Sequence, residues 1–230
     1  MTTICNKLHD VRTRIAVAAR AWGRDPSEIR LLAVSKTFGP DAVEEALACE
    51  QTAFGENYLQ EAAAKIDALA GRPIEWHCIG PIQSNKTRLA AERFDWVHSV
   101  DRLKIAERLS AQRPASLAPL NICLQVNIDG GESKSGVAPG DVAALARAVA
   151  ALPALRLRGL MTIPEPAEGF EAQREPHLRA KALFDSLRAE GLALDTLSMG
   201  MSGDLEAAIA AGSTMVRVGS AIFGGRAARA

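Results

Sequence analysis

The sequence predicts an α/β fold, namely a single (β/α)8 TIM barrel preceded by an extra N-terminal helix. Three observations lead to this prediction: short apolar runs alternate with helical patterns, eight such strand–helix units are present, and 230 residues are enough to hold them. With 48% hydrophobic and 23% charged residues, the composition is that of an ordinary globular protein. Because no linker or change of composition interrupts the pattern, we expect residues 1–230 to form one domain.

The extra helix comes first in the chain. Residues 4–22 place apolar side chains three or four positions apart, which is the spacing of one helix face. The side chains of that face are Ile4, Leu8, Val11, Ile15, Ala18 and Trp22. The rhythm changes after Asp25 and Pro26, where the first strand–helix unit begins.

Short apolar runs are the predicted strands, and they are Leu31–Ser35, Thr52–Gly55, Ile74–Ile79, Trp96–Val100, Ile122–Ile128, Leu157–Met161, Leu194–Met199 and Thr214–Val218. Helices are predicted over residues 40–49, 57–70, 84–92, 101–112, 140–151, 175–190 and 203–211, with a short one from about residue 220. An open, doubly wound sheet is the alternative architecture. Its first strand–helix turn is usually glycine-rich, however, and residues 35–40 contain no G-x-G-x-x-G.

Charge and cysteine content exclude several classes of protein. Lys plus Arg and Asp plus Glu both number 27, so the net charge of zero offers no basic surface for nucleic acid or for an anionic membrane. The four cysteines form no C-x-x-C pair, which argues against zinc and thioredoxin-like sites. No apolar run is long enough to span a membrane, and the first twenty residues do not resemble a signal peptide. Scattered thiols indicate a reducing compartment, so we expect a cytoplasmic protein.

A lysine follows the first predicted strand, where a TIM barrel carries its functional site. Lys36 lies on the same face as Leu32 and Val34, because side chains alternate along a strand. If this face points inward, an amine sits at the barrel mouth above apolar neighbours. Desolvation favours the neutral amine, which forms imines with carbonyl compounds. A lysine that bends outward into solvent is the alternative.

The last two strands predict an anion site. Arg217 shares one face of the last strand with Met215 and Gly219, and closure of the barrel puts this strand beside the first. Inside the barrel the guanidinium needs an acceptor or an anion, so a structural ion pair is the alternative. Residues 198–204 and 219–220 each open a predicted helix and offer backbone amides to a phosphate. Ordinary turns are the alternative interpretation of these loops.

Other catalytic classes are less well supported. Ser202 lacks the final glycine of the G-x-S-x-G motif, and the four histidines show no metal-ligand spacing. We interpret His77 and His98 as core or rim residues. Glu56, at the end of the second strand, is a lone carboxylate and therefore a weak acid/base candidate.

The predicted site therefore combines an imine-forming lysine, an arginine and a phosphate-binding loop pair at one barrel mouth. A phosphorylated aldehyde satisfies all three features, and pyridoxal 5'-phosphate (PLP) carries both the aldehyde and the phosphate. A sugar phosphate held through an imine at Lys36, as in aldolases, is the alternative.

Several short motifs occur in a fixed order along the chain. They are residues 31–37 (LLAVSKT), 54–58 (FGENY), 76–86 (WHCIGPIQSNK), 133–136 (SKSG), 159–161 (GLM), 197–202 (LSMGMS) and 216–220 (VRVGS). In this order they resemble the pyridoxal phosphate homeostasis protein family, which is related to the barrel domain of alanine racemase. The resemblance extends from about residue 4 to residue 226, and so many ordered motifs make it specific.

The resemblance implies a PLP site. The implied cofactor-binding residues are Lys36, Asn57, Met161, Ser198, Met201, Ser202, Arg217, Gly219 and Ser220. Lys36 would carry the PLP imine and Arg217 would face the pyridine nitrogen, while the two loops would hold the phosphate. The chain departs from the family pattern at Gly203, where many relatives carry an acidic residue, and at Ser220, where threonine is frequent. Both positions keep a backbone amide.

The resemblance also implies a carrier of PLP. Racemisation needs an acid/base group on each face of the substrate carbon, and Lys36 can supply only one. In the related racemases the other is a tyrosine from an additional domain and a partner subunit, and we expect neither here. The single tyrosine, Tyr58, is expected at the rim or in the core. We therefore expect a non-catalytic protein of vitamin B6 and amino-acid homeostasis, with a PLP-dependent amino-acid racemase as the alternative.

The expected partners follow from this function. They are PLP itself and, transiently, apo forms of PLP enzymes, with no nucleic acid, membrane or metal. Because the racemase-like second domain is not expected, we predict a monomer. Lys134 lies in the loop after the fifth strand and is a candidate second PLP site or transfer station. A solvated loop lysine is the alternative.

Overall fold

Eight parallel strands pair in sequence order and close into a barrel in the computed structural model, which describes residues 3–131 and 135–225. The strands are β1 (Arg30–Val34), β2 (Ala53–Glu56), β3 (Glu75–Cys78), β4 (Trp96–Val100), β5 (Leu120–Val126), β6 (Leu155–Thr162), β7 (Thr196–Ser198) and β8 (Met215–Val218). Pairing of β1 with β8, in which Leu32 lies opposite Arg217, closes the sheet. The prediction of a TIM barrel is confirmed.

Helices follow the strands and cover the outside of the barrel. They are α1 (Ile4–Ala21), α2 (Pro40–Ala48), α3 (Leu59–Ala68), α4 (Thr87–Arg93), α5 (Leu103–Gln112), α6 (Val142–Ala150), α7 (Phe170–Ala189), α8 (Leu205–Ala210) and α9 (Ser220–Phe223). The largest difference from the prediction is the start of α7, five residues before residue 175. Pro176 lies inside this helix, although proline is more common at the first turn of a helix. The extra turn begins at Phe170, whose ring stacks on Trp22 at 5.9 Å.

The extra helix α1 begins at an N-cap, where the Thr3 hydroxyl accepts a hydrogen bond from the Asn6 amide at 3.2 Å. Its predicted apolar face is buried at Leu8, Val11, Ile15 and Ala18. The helix packs against α2, α8 and α9, so it covers the junction where the first and last units of the barrel meet. Trp22, the last residue of the predicted face, is 43% exposed.

Apolar side chains form two layers. The outer layer lies between sheet and helices and includes Phe54 and Val216. The inner layer fills the barrel and consists of two small clusters, one of Leu32, Ala53 and Met215, the other of Trp96, Cys123 and Met161. Leu32 belongs to the inner layer, so the face of β1 that carries Lys36 points inward, as the alternation predicts.

Two cysteines lie close enough to bond. Cys5 of α1 and Cys49 at the end of α2 form a disulfide with a Cα–Cα distance of 5.6 Å, whereas Cys78 and Cys123 are buried free thiols. The expectation of four free thiols is therefore wrong for Cys5 and Cys49, because their separation of 44 residues in the sequence does not show that α1 packs beside α2. Across residues 3–131 and 135–225, no helix has the length and apolar character needed to cross a membrane.

Candidate functional site

A cavity of about 360 Å³ opens at the carboxyl ends of the strands, between the β1 loop and the loops after β7 and β8. This volume is within the range of small-molecule sites. The residues predicted from the sequence that line it are Lys36, Asn57, Met201, Ser202, Arg217, Gly219 and Ser220. Residues from both ends of the chain thus meet because β8 pairs with β1.

Lys36 enters the cavity from a tight turn after β1. The lysine is half-buried, and Thr37 beside it has a left-handed φ of 69°. This conformation costs energy in a β-branched residue, so the fold must hold it in place. Two hydrogen bonds do so: the Thr37 amide donates to Glu61 Oε1 at 2.6 Å, and the Phe38 amide donates to the Ser35 carbonyl at 3.1 Å.

Arg217 reaches the cavity floor from the inward face of β8 and is only 3% exposed. Its Nη1 donates to the Ser198 carbonyl at 2.7 Å and to Ser198 Oγ at 2.8 Å, and its Nη2 donates to the Thr162 carbonyl at 2.8 Å. Among the described residues no carboxylate forms a salt bridge with it, so the ion-pair alternative does not hold there. Burial lowers the pKa of Arg217 to about 10, which leaves it a cation at neutral pH.

The guanidinium keeps donors for a ligand. An arginine has five N–H groups, and the three bonds to Ser198 and Thr162 use three of them. Within the described part of the chain, the Nε donor and the second Nη2 donor make no hydrogen bond. Since Arg217 lines the cavity, these two donors are available to an acceptor that enters it.

The loops after β7 and β8 form a polar wall. The hydroxyl of Ser220 donates to Ser202 Oγ at 3.3 Å, and a Cβ at Gly219 would lie 3.0 Å from the Val34 carbonyl oxygen. Glycine therefore allows the loop after β8 to approach β1 closely. Helices α8 and α9 have only six and four residues, so amides and hydroxyls of the loops, more than a long helix dipole, attract an anion here.

The loop after β7 is held in place by hydrogen bonds to residues outside the cavity. Asp204 accepts a hydrogen bond from the Met201 amide at 2.6 Å and lies 2.8 Å from His177 Nε2. Burial raises the pKa of Asp204, but the bonds from His177 and Met201 outweigh it and lower the pKa overall. Arg14 of α1 donates to the Ser202 carbonyl at 3.2 Å, so the extra helix also holds this loop.

The two remaining predicted site residues lie below the cavity. Met161 is fully buried and packs with Trp96 and Cys123 inside the barrel, and Ser198 is fully buried under the Arg217 guanidinium. The structure therefore places Met161 and Ser198 beneath the cavity floor and not on its wall. Spacing along a strand shows that a side chain points inward but does not show how deep it lies.

Glu56 is a structural residue in this fold. It is fully buried between β2 and α3, where Lys65 Nζ lies 2.6 Å from its Oε1 and the Ser35 hydroxyl donates to the same oxygen at 2.6 Å. Burial raises the pKa of Glu56, and the charge of Lys65 opposes this shift. The interpretation of Glu56 as an acid/base candidate is not supported, because its carboxyl group faces the helix layer. Lys65, which follows nine residues later on a predicted helix, was the feature of the sequence that could have indicated an ion pair with Glu56.

A second cavity, of about 410 Å³, lies at the amino ends of the strands. It is lined by Arg12 and Arg30, but both cations already have partners. Arg12 donates to the Cys49 carbonyl at 3.0 Å, and Arg30 Nη1 lies 2.7 Å from Glu75 Oε1. The cavity at the carboxyl ends is therefore the better candidate for a ligand.

Comparison with known proteins agrees with this geometry. The model of the alanine racemase N-terminal domain family matches residues 7–227. The pyridoxal phosphate homeostasis protein of Pseudomonas aeruginosa is 60% identical, over 98% of this chain and 97% of that protein. The protein of the same name from Escherichia coli K12 is 53% identical, over 98% of both. The chain therefore belongs to the alanine racemase N-terminal domain family and, within it, to the pyridoxal phosphate homeostasis proteins.

Solved structures show the same barrel. PipY of Synechococcus elongatus with PLP bound has a TM-score of 0.85 and 36% identity, and the match covers 96% of this chain and all of that one. Alanine racemase from Corynebacterium glutamicum has a TM-score of 0.67 at 20% identity, over 94% of this chain and 60% of that one. The second likeness shows the fold alone.

Proposed function

We propose that this protein binds PLP through Lys36 and serves in vitamin B6 and amino-acid homeostasis without itself catalysing a reaction. One observation carries the proposal: a single cavity holds a half-buried lysine, a buried arginine with two unused donors, and two glycine- and serine-containing loops. These features match the aldehyde, ring nitrogen and phosphate of PLP in turn. The pyridoxal phosphate homeostasis proteins at 60% and 53% identity and the PLP-bound PipY structure support the same ligand.

The polar atoms of the cavity fit the polar groups of PLP. Among the described residues, Asn57 Oδ1 is a buried oxygen with no hydrogen-bond partner, and Asn57 lines the cavity. An unpartnered buried polar atom is costly, so it favours a ligand that carries a donor. PLP has a ring hydroxyl that can donate, whereas the ring nitrogen can accept from Arg217.

Different residues of the cavity would contact different groups of PLP. Lys36 would hold the aldehyde carbon of PLP through its amine, and PLP, when bound, would supply an aldehyde that is reactive toward primary amines. The amides and hydroxyls of Ser202, Gly219 and Ser220 hold the phosphate, and Met201 and Asn57 border the cofactor. Arg217 can only donate, so it keeps the pyridine nitrogen unprotonated and weakens the ring as an electron sink. Met161 and Ser198 support the cavity from below.

The composition of the cavity argues against racemase activity. Of the described residues that line it, Lys36 and Arg217 are the ionisable ones, and a racemase needs a second acid/base group opposite the lysine. Tyr58 is 50% exposed and is not among those lining residues. Solvent-deuterium exchange at the α-carbon of amino acids tests this, since exchange well above that with free PLP supports the racemase.

The first experiment measures the visible absorption spectrum of the protein with PLP, before and after borohydride, in the wild type and in Lys36→Ala. We expect a yellow band that borohydride bleaches and a phosphopyridoxyl group on Lys36 by peptide mass spectrometry. Lys36→Ala should lose the band entirely, and Lys104→Ala, which removes an exposed lysine of α5, should keep it. An undiminished band in Lys36→Ala, or no band in the wild type, contradicts the proposal.

Delivery of PLP, the monomeric state, a single domain over residues 1–230 and a cytoplasmic location complete the proposal. The open cavity supports exchange of PLP with apo-enzymes, and activation of an apo-enzyme by the holo-protein faster than by buffer tests it. Cys78 and Cys123 are free thiols, whereas the Cys5–Cys49 disulfide does not support the argument from scattered thiols, so cell fractionation tests the cytoplasmic location. Lys134, the candidate second site, lies outside the described residues, and the transfer rate of Lys134→Ala tests its role.

A further inference from the structure

A continuous row of hydrogen bonds crosses the barrel interior below the cavity. Arg217 Nη1 donates to Ser198 Oγ at 2.8 Å, and Ser198 Oγ lies 3.0 Å from His98 Nδ1. His98 Nε2 lies 2.9 Å from His77 Nδ1, and His77 Nε2 lies 2.5 Å from Glu75 Oε1. Ser198, His98 and His77 are fully buried, so water does not interrupt the row. We call these five residues the interior chain.

The two ends of the interior chain set its direction. A guanidinium only donates hydrogen bonds, and an ionised carboxylate only accepts them. Glu75 accepts from His77 Nε2, so Nδ1 of a neutral His77 carries no hydrogen and accepts from His98 Nε2. Nδ1 of a neutral His98 then accepts from the Ser198 hydroxyl, whose oxygen accepts from Arg217. Every bond is satisfied by one arrangement, in which both imidazoles are neutral and carry the hydrogen on Nε2.

The charges of the groups agree with this arrangement. Burial lowers the pKa of His77 to about 4 and lowers the pKa of His98 well below its usual value, so both rings are neutral at pH 7. Burial raises the pKa of Glu75, but the hydrogen bond from His77 and the charge and hydrogen bond of Arg30 outweigh it, and the net pKa is lowered. Glu75 is therefore ionised. The interior chain therefore forms with each residue in its ordinary protonation state at pH 7.

The interior chain connects opposite ends of the barrel. Glu75 is the first residue of β3, its side chain is 33% exposed, and it pairs with Arg30 at the start of β1. Arg217, at the other end, lines the cavity at the carboxyl ends of the strands. The aligned dipoles point their acceptor atoms toward Arg217, which stabilises the buried cation and fixes the plane of the guanidinium. Two of its donors then remain directed away from the protein acceptors.

We propose that His77 and His98 are positioning residues that act through Ser198 on Arg217, and that the interior chain links the charge of Glu75 to the ring side of bound PLP. The first part concerns the protein alone. The second part rests on the proposed function, because it requires PLP in the cavity. The histidines thereby have a role although neither lines the cavity.

The tautomers are measured on the protein without PLP. Long-range proton–nitrogen NMR spectra of protein labelled with ¹⁵N-histidine distinguish the two neutral tautomers and the charged ring. We expect His77 and His98 to be neutral, with hydrogen on Nε2, from pH 5.5 to pH 8. His77→Gln and His98→Leu assign the signals. A hydrogen on Nδ1 of either ring, or a charged ring at pH 7, breaks the interior chain and overturns the proposal.

The link to the cofactor is measured by a pH titration of the absorption band of bound PLP. Glu75→Gln and His98→Leu remove negative charge or aligned dipoles from the Arg217 side, so the cation is less compensated and disfavours a proton on bound PLP. We expect both variants to lower the midpoint by roughly 0.5 pH unit, the order expected of one charge acting through the protein interior. Cys123 is buried inside the barrel but is not part of the interior chain, so Cys123→Ala should keep the wild-type midpoint.

The outcomes separate the two proposals. A wild-type midpoint in Glu75→Gln overturns the link, and this variant decides if His98→Leu does not fold, because the Glu75 side chain is 33% exposed. An equal shift in Cys123→Ala also overturns it, since any change of packing would then move the midpoint. Failure of the wild type to bind PLP refutes the proposed function and leaves the tautomer measurement as the test of the interior chain.

Discussion

The two sides of the barrel interior differ in polarity. Below Lys36 the inward face is apolar, with Leu32, Ala53 and Met215 in contact and Ile79 packed on them. On the opposite side, from Ser198 of β7 to β3, the interior holds the serine and two histidines of the interior chain beside the apolar cluster that contains Trp96. The same barrel therefore offers an apolar floor to one cation of the cavity and a row of fixed acceptors to the other.

This difference in polarity matches what the proposed function requires of Lys36 and of Arg217. An apolar environment disfavours charge, which suits a lysine that reacts as a neutral amine. Fixed acceptors favour a permanent cation, which suits an arginine that holds a ring nitrogen through hydrogen bonds. Polarity inside the barrel would thus separate the covalent role proposed for Lys36 from the electrostatic role proposed for Arg217 within one cavity.

The largest effect on PLP binding is expected when Arg217, the cation of the polar side, is removed. Arg217→Leu leaves the carbonyl of Thr162 and both oxygens of Ser198 without their buried donor, and it removes the donors for the ring nitrogen. We expect the Kd for PLP to rise about 100-fold, or about 2.8 kcal/mol. Met215→Leu, on the same face of β8 but on the apolar side, is the matched control and should change the Kd less than about threefold.

Fluorescence titration with PLP measures both constants. Circular dichroism shows first that each variant is folded. If folded Arg217→Leu binds PLP as tightly as the wild type, the polar side has no part in holding the cofactor.

Acidification should weaken the polar side through protonation of His77. The pKa of His77 is lowered by burial from 6.5 to about 4, so between these values the unfolded chain takes up a proton that the folded protein refuses. The stabilisation from neutral His77 is complete above pH 6.5 and is lost as the pH falls toward 4, by up to roughly 3 kcal/mol. Burial of Glu56 raises its pKa and acts in the opposite direction, so we compare variants at each pH.

Urea unfolding at pH 7 and at pH 4.5 measures this effect. The wild type should lose more stability on acidification than His77→Gln, which has no imidazole to protonate. His9→Gln, at an exposed histidine of α1, should behave as the wild type. Equal losses in the wild type and His77→Gln contradict a buried neutral His77.

The sequence predicts the barrel and most of the cavity wall, because alternation along β1 and β8 determines which side chains point inward. It does not predict the interior chain, since the contact of His77 with His98 depends on the register of β3 and β4, and Ser198 of β7 reaches His98 only across the barrel. For the same reason His77 and His98 were interpreted only as core or rim residues; both are fully buried, and their partners were not identified. The depth of Met161 and Ser198 also depends on barrel closure. The left-handed backbone after β1 was not predicted, because the residue that adopts it is Thr37 and not a glycine.

The smallest expected effect is on the Lys36 side, at Thr37. Its φ of 69° is unfavourable for a β-branched residue and costs roughly 1–2 kcal/mol, whereas glycine adopts it freely but loses more entropy on folding. Thr37→Gly should therefore raise the free energy of unfolding by about 0.5–1 kcal/mol, and Thr37→Ala, which keeps a Cβ, should gain less. Urea unfolding checks both values. A stabilised Thr37→Gly with faster release of PLP would show that the strained turn holds Lys36 in the cavity, whereas destabilisation would show that the threonine side chain contributes more than its backbone strain costs.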